Sequence, residues 1–386
     1  MDKQKKKELI AAGVFLLGAI MMYVGYMYSL GSLEEIIGGP VWNAGKRFLT
    51  YILYAVIFFI LPYEKFYNLF ATQRKANKDK GLLYIIFSEK RLCVISLVIF
   101  AIIAFVFWES IEKTYIFFSL NCYSISWWFK YIIIIGGIIC ISVWTVWQIE
   151  EQYKSFIISY IGFAVLAVAA YVFSFEEFNF SVVVILSGSL AWNITYMVYN
   201  KKISLTNIGL TVLFLLMVLC TFILFSGRVT QLENILYPEA APYDGGWELL
   251  QIRQYWIGDG FVFDSNVLEW KFMKNHQLLT ILKYGRVTGL LVFVGIACVI
   301  AACVSFVKCH QGKKRYVVIG VLSCFLVCVG CVIISGMGIV PISTIRMPFT
   351  GVNLTRDAIM LGVVLHCMIP CSWLKRGREG KKYSGL

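Results

Sequence analysis

Long apolar stretches recur along the chain, each about 17 to 22 residues and separated by polar connections. At about 1.5 Å per residue, a helix of that length crosses a hydrocarbon core roughly 30 Å thick. Ten stand out, at approximately 9–30, 46–62, 92–108, 127–147, 155–173, 181–199, 208–227, 286–307, 317–337 and 357–374. A helix satisfies its own backbone hydrogen bonds in lipid, where an open loop cannot. The pattern therefore predicts an all-α, polytopic membrane protein of about ten transmembrane helices. Residues 1–386 read as a single transmembrane domain, and the first stretch has no small-residue cleavage site that would make it a removable signal peptide.

The connections give the orientation, because Lys and Arg gather on the cytoplasmic side. One side carries Lys3 and Lys5–Lys7, then Lys65, Arg74, Lys75, Lys78, Lys80, Lys90 and Arg91. It continues with Lys154, Lys201 and Lys202, with Lys308, Lys313, Lys314 and Arg315, and with Lys375, Arg376, Arg378, Lys381 and Lys382. These are alternate connections plus both termini, so both termini are expected in the cytoplasm. The opposite side holds Glu34, Glu35, Glu109, Glu112, Glu176 and Glu177 and one long loop, 228–285, between the seventh and eighth helices.

Composition sharpens the class. The chain is 59% hydrophobic and 15% charged, against about 25% charged for an ordinary soluble protein. Too few charges remain to cover a soluble surface, which excludes a cytosolic enzyme, a disordered chain and a nucleic-acid module. Much of the +13 net charge is then a topology signal, with binding of anionic lipid headgroups a minor addition. Of the 12 cysteines only Cys122 falls in an outward loop, which leaves no intrachain disulfide there. Cys324, Cys328 and Cys331 share a helical face, but small polarizable residues packing helix on helix explain them better than a soft-metal site. With three histidines in the chain no zinc site is expected.

Chemistry is expected in the long loop, where polar groups are dense. Pro238, Pro242, Gly245 and Gly246 open it with turns. Trp247, Leu250, Tyr255 and Ile257, interleaved with Glu248, Gln251, Arg253 and Gln254, then read as an amphipathic segment lying at the membrane surface.

Arg228, Pro238, Pro242, Gly246, Trp247, Glu248, Gln251, Gly258 and Gly260 follow one another in that loop, and PISTIRMPFTGVNLT lies between the last two helices. In that order the two stretches resemble motifs of the SEDS family (shape, elongation, division and sporulation). The family's members have ten transmembrane helices, inside termini and a long outward loop after the seventh. In the second stretch Pro341, Pro348 and Phe349 keep the family pattern; Met347, Gly351, Asn353, Leu354 and Thr355 stand in for its other positions. Lys46 and Arg47, and Ser126 with Lys130, are weaker echoes upstream.

The resemblance implies polymerisation of peptidoglycan glycan strands from lipid II, alongside a class B penicillin-binding protein. A sugar hydroxyl would attack the anomeric carbon of a diphospholipid-linked partner, with a carboxylate at the outer face as base. Cationic side chains, or a divalent ion, would stabilise the departing diphosphate. No other cofactor and no nucleic-acid partner is implied. Arg228, Arg253, Arg346 and Arg356 lie on the predicted outward side, where the arginine fork suits phosphate oxygens or anchors the interface. The implied substrate-binding residues are Arg228, Glu248, Gln251, Arg253, Pro348, Asn353, Thr355, Arg356 and Lys130.

One departure concerns the catalytic acid. The family's Asp falls here on Lys274, Asn275, His276 or Gln277, none of them a carboxylate. His276, whose imidazole has a neutral form near pH 7, and the acids Asp259, Asp264 and Glu269 are the candidate replacements. Three readings remain open: a divergent glycan polymerase, a SEDS-like protein that binds precursor or partner without turnover, and a lipid flippase or transporter. The last would draw on intramembrane ionisable residues such as Lys130 and His366.

Overall fold

A computed structural model of the protein describes residues 3–37, 44–60, 178–225, 236–240, 245–263, 266–312, 314–339, 345–352 and 354–369. The expected spans 92–108, 127–147 and 155–173 lie outside the described residues. Among the described residues there are ten α-helices, a 3₁₀ turn at Pro238–Ala240 and no strand. In chain order the helices are α1 (Lys3–Ile37), α2 (Ala44–Ile60), α3 (Phe178–Asn200), α4 (Leu205–Phe225), α5 (Gly245–Ile257), α6 (Asn266–Asn275), α7 (Gln277–Tyr284), α8 (Gly289–Cys309), α9 (Lys314–Gly336) and α10 (Leu354–Met368). Three are long and apolar enough to cross a membrane: Lys3–Leu33 within α1, then α8 and α9. Boundaries shift from the sequence reading, α1 running from Lys3 to Ile37 where 9–30 is expected and α10 ending at Met368 where 374 is expected. The stretch expected from 286 begins its helix only at Gly289, because Arg286 takes a left-handed conformation (φ 42°) in the turn after α7.

The α1–α8 pair forms the centre of the fold, and glycines explain its closeness. A Cβ on Gly295 would lie 2.6 Å from the Gly18 carbonyl oxygen and 2.6 Å from Met22 Cγ, and one on Gly25 would lie 2.8 Å from the Thr288 carbonyl. The two backbones therefore nearly touch, the arrangement small residues permit between membrane helices. Gly295→Val is expected to force the pair apart at a cost of about 1–3 kcal/mol. Thermal unfolding in detergent would reveal it, and an unchanged midpoint would argue against this contact.

Contacts fix the helix directions. Glu8 near the start of α1 pairs with His310 after α8 (Oε1 to Nδ1, 2.8 Å), so these helices are antiparallel. Ile194 and Val198 late in α3 pack on Tyr316 and Ile319 early in α9, another antiparallel pair. The α3–α4 hairpin is tied by Asn193 Nδ2 donating to Thr211 Oγ1 at 3.0 Å. By contrast α10 runs alongside α2 in the same direction, with His366 Nδ1 2.8 Å from the Phe59 carbonyl and Tyr51 within electrostatic reach of Asp357. The ends bearing Lys3 and Lys5–Lys7, Lys201 and Lys202, Lys308, and Lys314 and Arg315 consequently gather at one end of the bundle.

Candidate functional site

At the opposite end sits a polar layer built from α5, α6 and α7. Trp256 Nε1 donates to the carbonyl of Gly336, the last residue of α9, at 2.8 Å. Gly338, held left-handed at φ 71°, lies against Ile252 of α5, where a Cβ would come within 3.0 Å of Ile252 Cγ2. The α5 helix therefore rests on the end of α9 remote from Lys314. Its buried face also differs from the surface-lying segment read in the sequence. Leu249 and Ile252 are fully enclosed and Gln251 is buried beside them, while Trp256 and Ile257 are exposed. The helical period of 3.6 residues turns Leu249 and Ile252 inward together. Trp247 is half-buried and packs on Phe263 and Phe272 (centroids 6.1 and 5.6 Å).

Into this layer comes the stretch 345–352, which is buried yet not helical. Pro348 within it has no backbone donor, which disfavours a continuous helix. Phe349 is left-handed at φ 59°, uncommon for a residue with a Cβ, and Gly351 follows at φ 74°. Phe349 stacks on Phe325, midway along α9, and meets Phe15 of α1 edge-on, each at 5.7 Å between centroids. The stretch thus reaches the middle of the helical bundle.

Irregular backbone at such depth needs partners, and side chains from the long loop supply them. Gln277 accepts from the Met347 backbone N–H at 2.5 Å and donates to Thr350 Oγ1 at 3.2 Å. Thr350 in turn donates to the Met347 carbonyl at 2.8 Å. Arg346 points the other way. Its guanidinium donates to the Asn275 carbonyl (2.6 Å), the Lys274 carbonyl (3.1 Å) and Asn275 Oδ1 (2.8 Å). Behind it Arg356 donates to the Arg346 carbonyl at 2.8 Å and pairs with Asp357 at 3.1 Å. Two stretches some 70 residues apart therefore form one polar cluster.

The sequence-derived candidates distribute unevenly around it. Glu248 lies in the first turn of α5, partly exposed, with Oε2 3.6 Å from Nε2 of the buried His276. Gln251 spends its oxygen on the Val262 backbone N–H at 2.9 Å, so it holds the 261–263 connection. Arg253 is half-buried on α5, Pro348 is buried, and Thr355 belongs to the first turn of α10. Arg356 is buried in its pair with Asp357. Asp259 is exposed just past α5. Glu269 is engaged by Lys283 at 2.6 Å and by the Tyr284 hydroxyl. Arg228, Asp264, Asn353 and Lys130 lie outside the described residues, as does Cys122.

Electrostatics separate the acids. Burial pulls the Glu269 carboxyl up, but the hydrogen bonds from Lys283 and Tyr284 and the Lys283 charge outweigh it and set the group below its ordinary value. Burial, joined by that same carboxylate, pushes the Tyr284 phenol up. A carboxyl with a lowered folded-state pKa stabilises the fold above its unfolded pKa, and loses that stabilisation as pH falls through the folded value. Acidification to just below the ordinary carboxylate range should therefore narrow the stability gap between the protein and Glu269→Gln, as followed by thermal unfolding. A gap that widens on acidification would contradict the assignment.

Sequence reasoning passed over Asp357, Gln277 and Thr350 as site residues. Asp357 carried a signal, since a carboxylate at the start of an apolar run beside Arg356 marks a buried pair. Among the described residues no three His, Cys, Asp or Glu side chains converge to hold a metal. Cys324, Cys328 and Cys331 are buried thiols in the α9 packing. No protein-family model matches the chain, and no curated protein matches it either.

Proposed function

We propose that the protein is a ten-helix bacterial plasma-membrane protein with cytoplasmic termini, and that it handles a lipid-linked glycan precursor on the outer face as a SEDS-like peptidoglycan polymerase. Lipid II is its substrate and a class B penicillin-binding protein its partner. The observation that carries the reading is the joining of the two motif-bearing stretches in one buried polar cluster, remote from the lysine-rich ends. A lipid-linked diphosphate needs fixed positive charge at a sheltered interface, and arginine supplies it in a forked geometry. Arg228, together with Arg253 or Arg356, is assigned to the diphosphate. Arg253→Ala is expected to weaken lipid II binding roughly 10- to 150-fold, the loss of one charge-assisted hydrogen bond.

The orientation has its own test. Reporters fused after Lys202 and after Glu269 should report opposite sides of the membrane; agreement between them would defeat the topology. The activity is tested by purified full-length protein, with and without a co-expressed class B penicillin-binding protein, supplied with lipid II. Glycan polymer formation is the expected result.

A second reading is a SEDS-like protein that binds precursor without turnover. It is favoured by the absence of a carboxylate at residues 274–277, two of which serve the fold: Asn275 receives Arg346, and Gln277 holds Met347 and Thr350. Lipid II binding without polymer under every partner condition would select it.

A further inference from the structure

The pairing of Glu248 with His276 is the least explained contact of the outer layer. The two come from different elements, α5 and the junction of α6 with α7, and their nearest atoms are 3.6 Å apart. His276 is only 3% exposed, and neither of its ring nitrogens hydrogen-bonds. A buried imidazole with both nitrogens unsatisfied costs free energy that packing alone does not return. Phe272 lies against one side of the ring at 4.5 Å. Glu248, by contrast, has a side chain 28% exposed. One member of the pair therefore reaches solvent while the other stands behind it.

Most other charges on the elements packed here have neighbours of their own, and Lys271 of α6 is exposed. On α6, Lys274 Nζ lies over the Trp270 ring at 4.6 Å, and Glu269 takes Lys283 of α7. Arg346 covers the Lys274 and Asn275 carbonyls, Arg356 is paired with Asp357 of α10, and on α5 Arg253 lies near Gly338. Among these groups Glu248 alone faces the imidazole as an ion-pair partner.

We propose that Glu248 and His276 form one acid–base unit, Glu248 being the catalytic residue that takes the proton from an attacking sugar hydroxyl and His276 the positioning residue that receives and holds it. This rests on the glycan-polymerase reading above. In the step, the hydroxyl oxygen forms its bond to the anomeric carbon as the bond to the diphosphate breaks, and the electron pair leaves with the diphosphate. The hydroxyl proton passes to Glu248 Oε2 and on to His276 Nε2, then returns through Glu248 to water once the product departs. A distance of 3.6 Å is long for transfer but ordinary for a site without substrate, where such bonds tighten on binding. The carboxylate missing from residues 274–277 is thus supplied from α5, 28 residues upstream of His276.

Two readouts on the purified full chain test this. With lipid II and the penicillin-binding protein partner, Glu248→Gln should lower turnover about 10²- to 10⁴-fold. His276→Gln should displace the acid limb of the pH–rate profile, whereas Phe272→Leu, which only loosens the packing, should lower the rate without displacing it. Unchanged turnover in Glu248→Gln would overturn the assignment. The second readout needs no turnover. The chain has three histidines, so labelled imidazole resonances can be followed one by one through a pH titration. Glu248→Gln should change the response of His276 and leave His310 and His366 as they were. If the wild type never polymerises lipid II, the polymerase reading falls, and the acid–base pairing is judged by this titration: a selective change at His276 upholds it, and an unaltered His276 overturns it.

Discussion

Asp357→Ala is expected to cost about 3–5 kcal/mol of stability, because it strands the Arg356 guanidinium in the interior with its counter-charge removed. Asp357 is 0% and Arg356 4% exposed. The pair is closed by contacts of 3.1 and 3.3 Å from Nη2 and Nε to a single carboxylate oxygen. Once Asp357 is gone, Arg356 retains the Arg346 carbonyl at 2.8 Å, which does not neutralise it. The double replacement Arg356→Met with Asp357→Leu should recover most of the loss, since a buried ion pair exchanged for apolar side chains of similar volume is often close to neutral. Denaturant unfolding in detergent measures both. A cost below about 1 kcal/mol for Asp357→Ala would mean that the pair is hydrated, and the buried cluster would have to be redrawn.

Arg346→Ala should have the next largest effect. It removes three hydrogen bonds from a charged donor to the α6–α7 junction. Each such bond is worth about 1.5–3 kcal/mol net, and the three are not additive because one side chain makes them all. Two carbonyls would be left to seek water. Beyond lost stability, the junction carrying His276 should come adrift from 345–352. Amide exchange at residues 274–280 is therefore expected to accelerate selectively, while exchange in the middle of α8 stays slow. Uniform acceleration across all helices would show that Arg346 supports the fold in general and does not link these two stretches. Arg346→Lys tests the fork itself, because a lysine cannot reproduce the three-point contact.

How far the sequence foretold this arrangement differs from element to element. The long helices were legible because apolar length is a direct consequence of lipid thickness. The Glu8–His310 and Val198–Tyr316 contacts set lysine-bearing ends of α1 and α8, and of α3 and α9, side by side. Pro348, which lacks a backbone donor, disfavours a helix between the last two apolar stretches. It does not announce that Phe349 reaches Phe325, since that depends on the space left between α1 and α9. The site was harder. Gln251 and Arg356, both expected to bind substrate, also serve the fold: Gln251 holds the Val262 N–H and Arg356 pairs with its own neighbour. Residue type and order announce charged or amide groups, but whether such a group faces a ligand or its own backbone is decided by tertiary packing. Glu248 and His276 were both noticed, on separate grounds. Their contact arises from the way α5 folds back over α6, which no local spacing encodes.

The central claim, that a lipid-linked glycan precursor is held where the long loop meets the re-entrant stretch, is tested most directly by where that precursor sits. A lipid II analogue bearing a photoreactive group near its diphosphate, added to the purified full-length protein in membranes, should label peptides within 245–285 and 345–357, and excess lipid II should suppress that labelling. Labelling confined to the lysine-rich end near Lys201, Lys308 and Lys314, or labelling that excess lipid II leaves unchanged, would contradict the account.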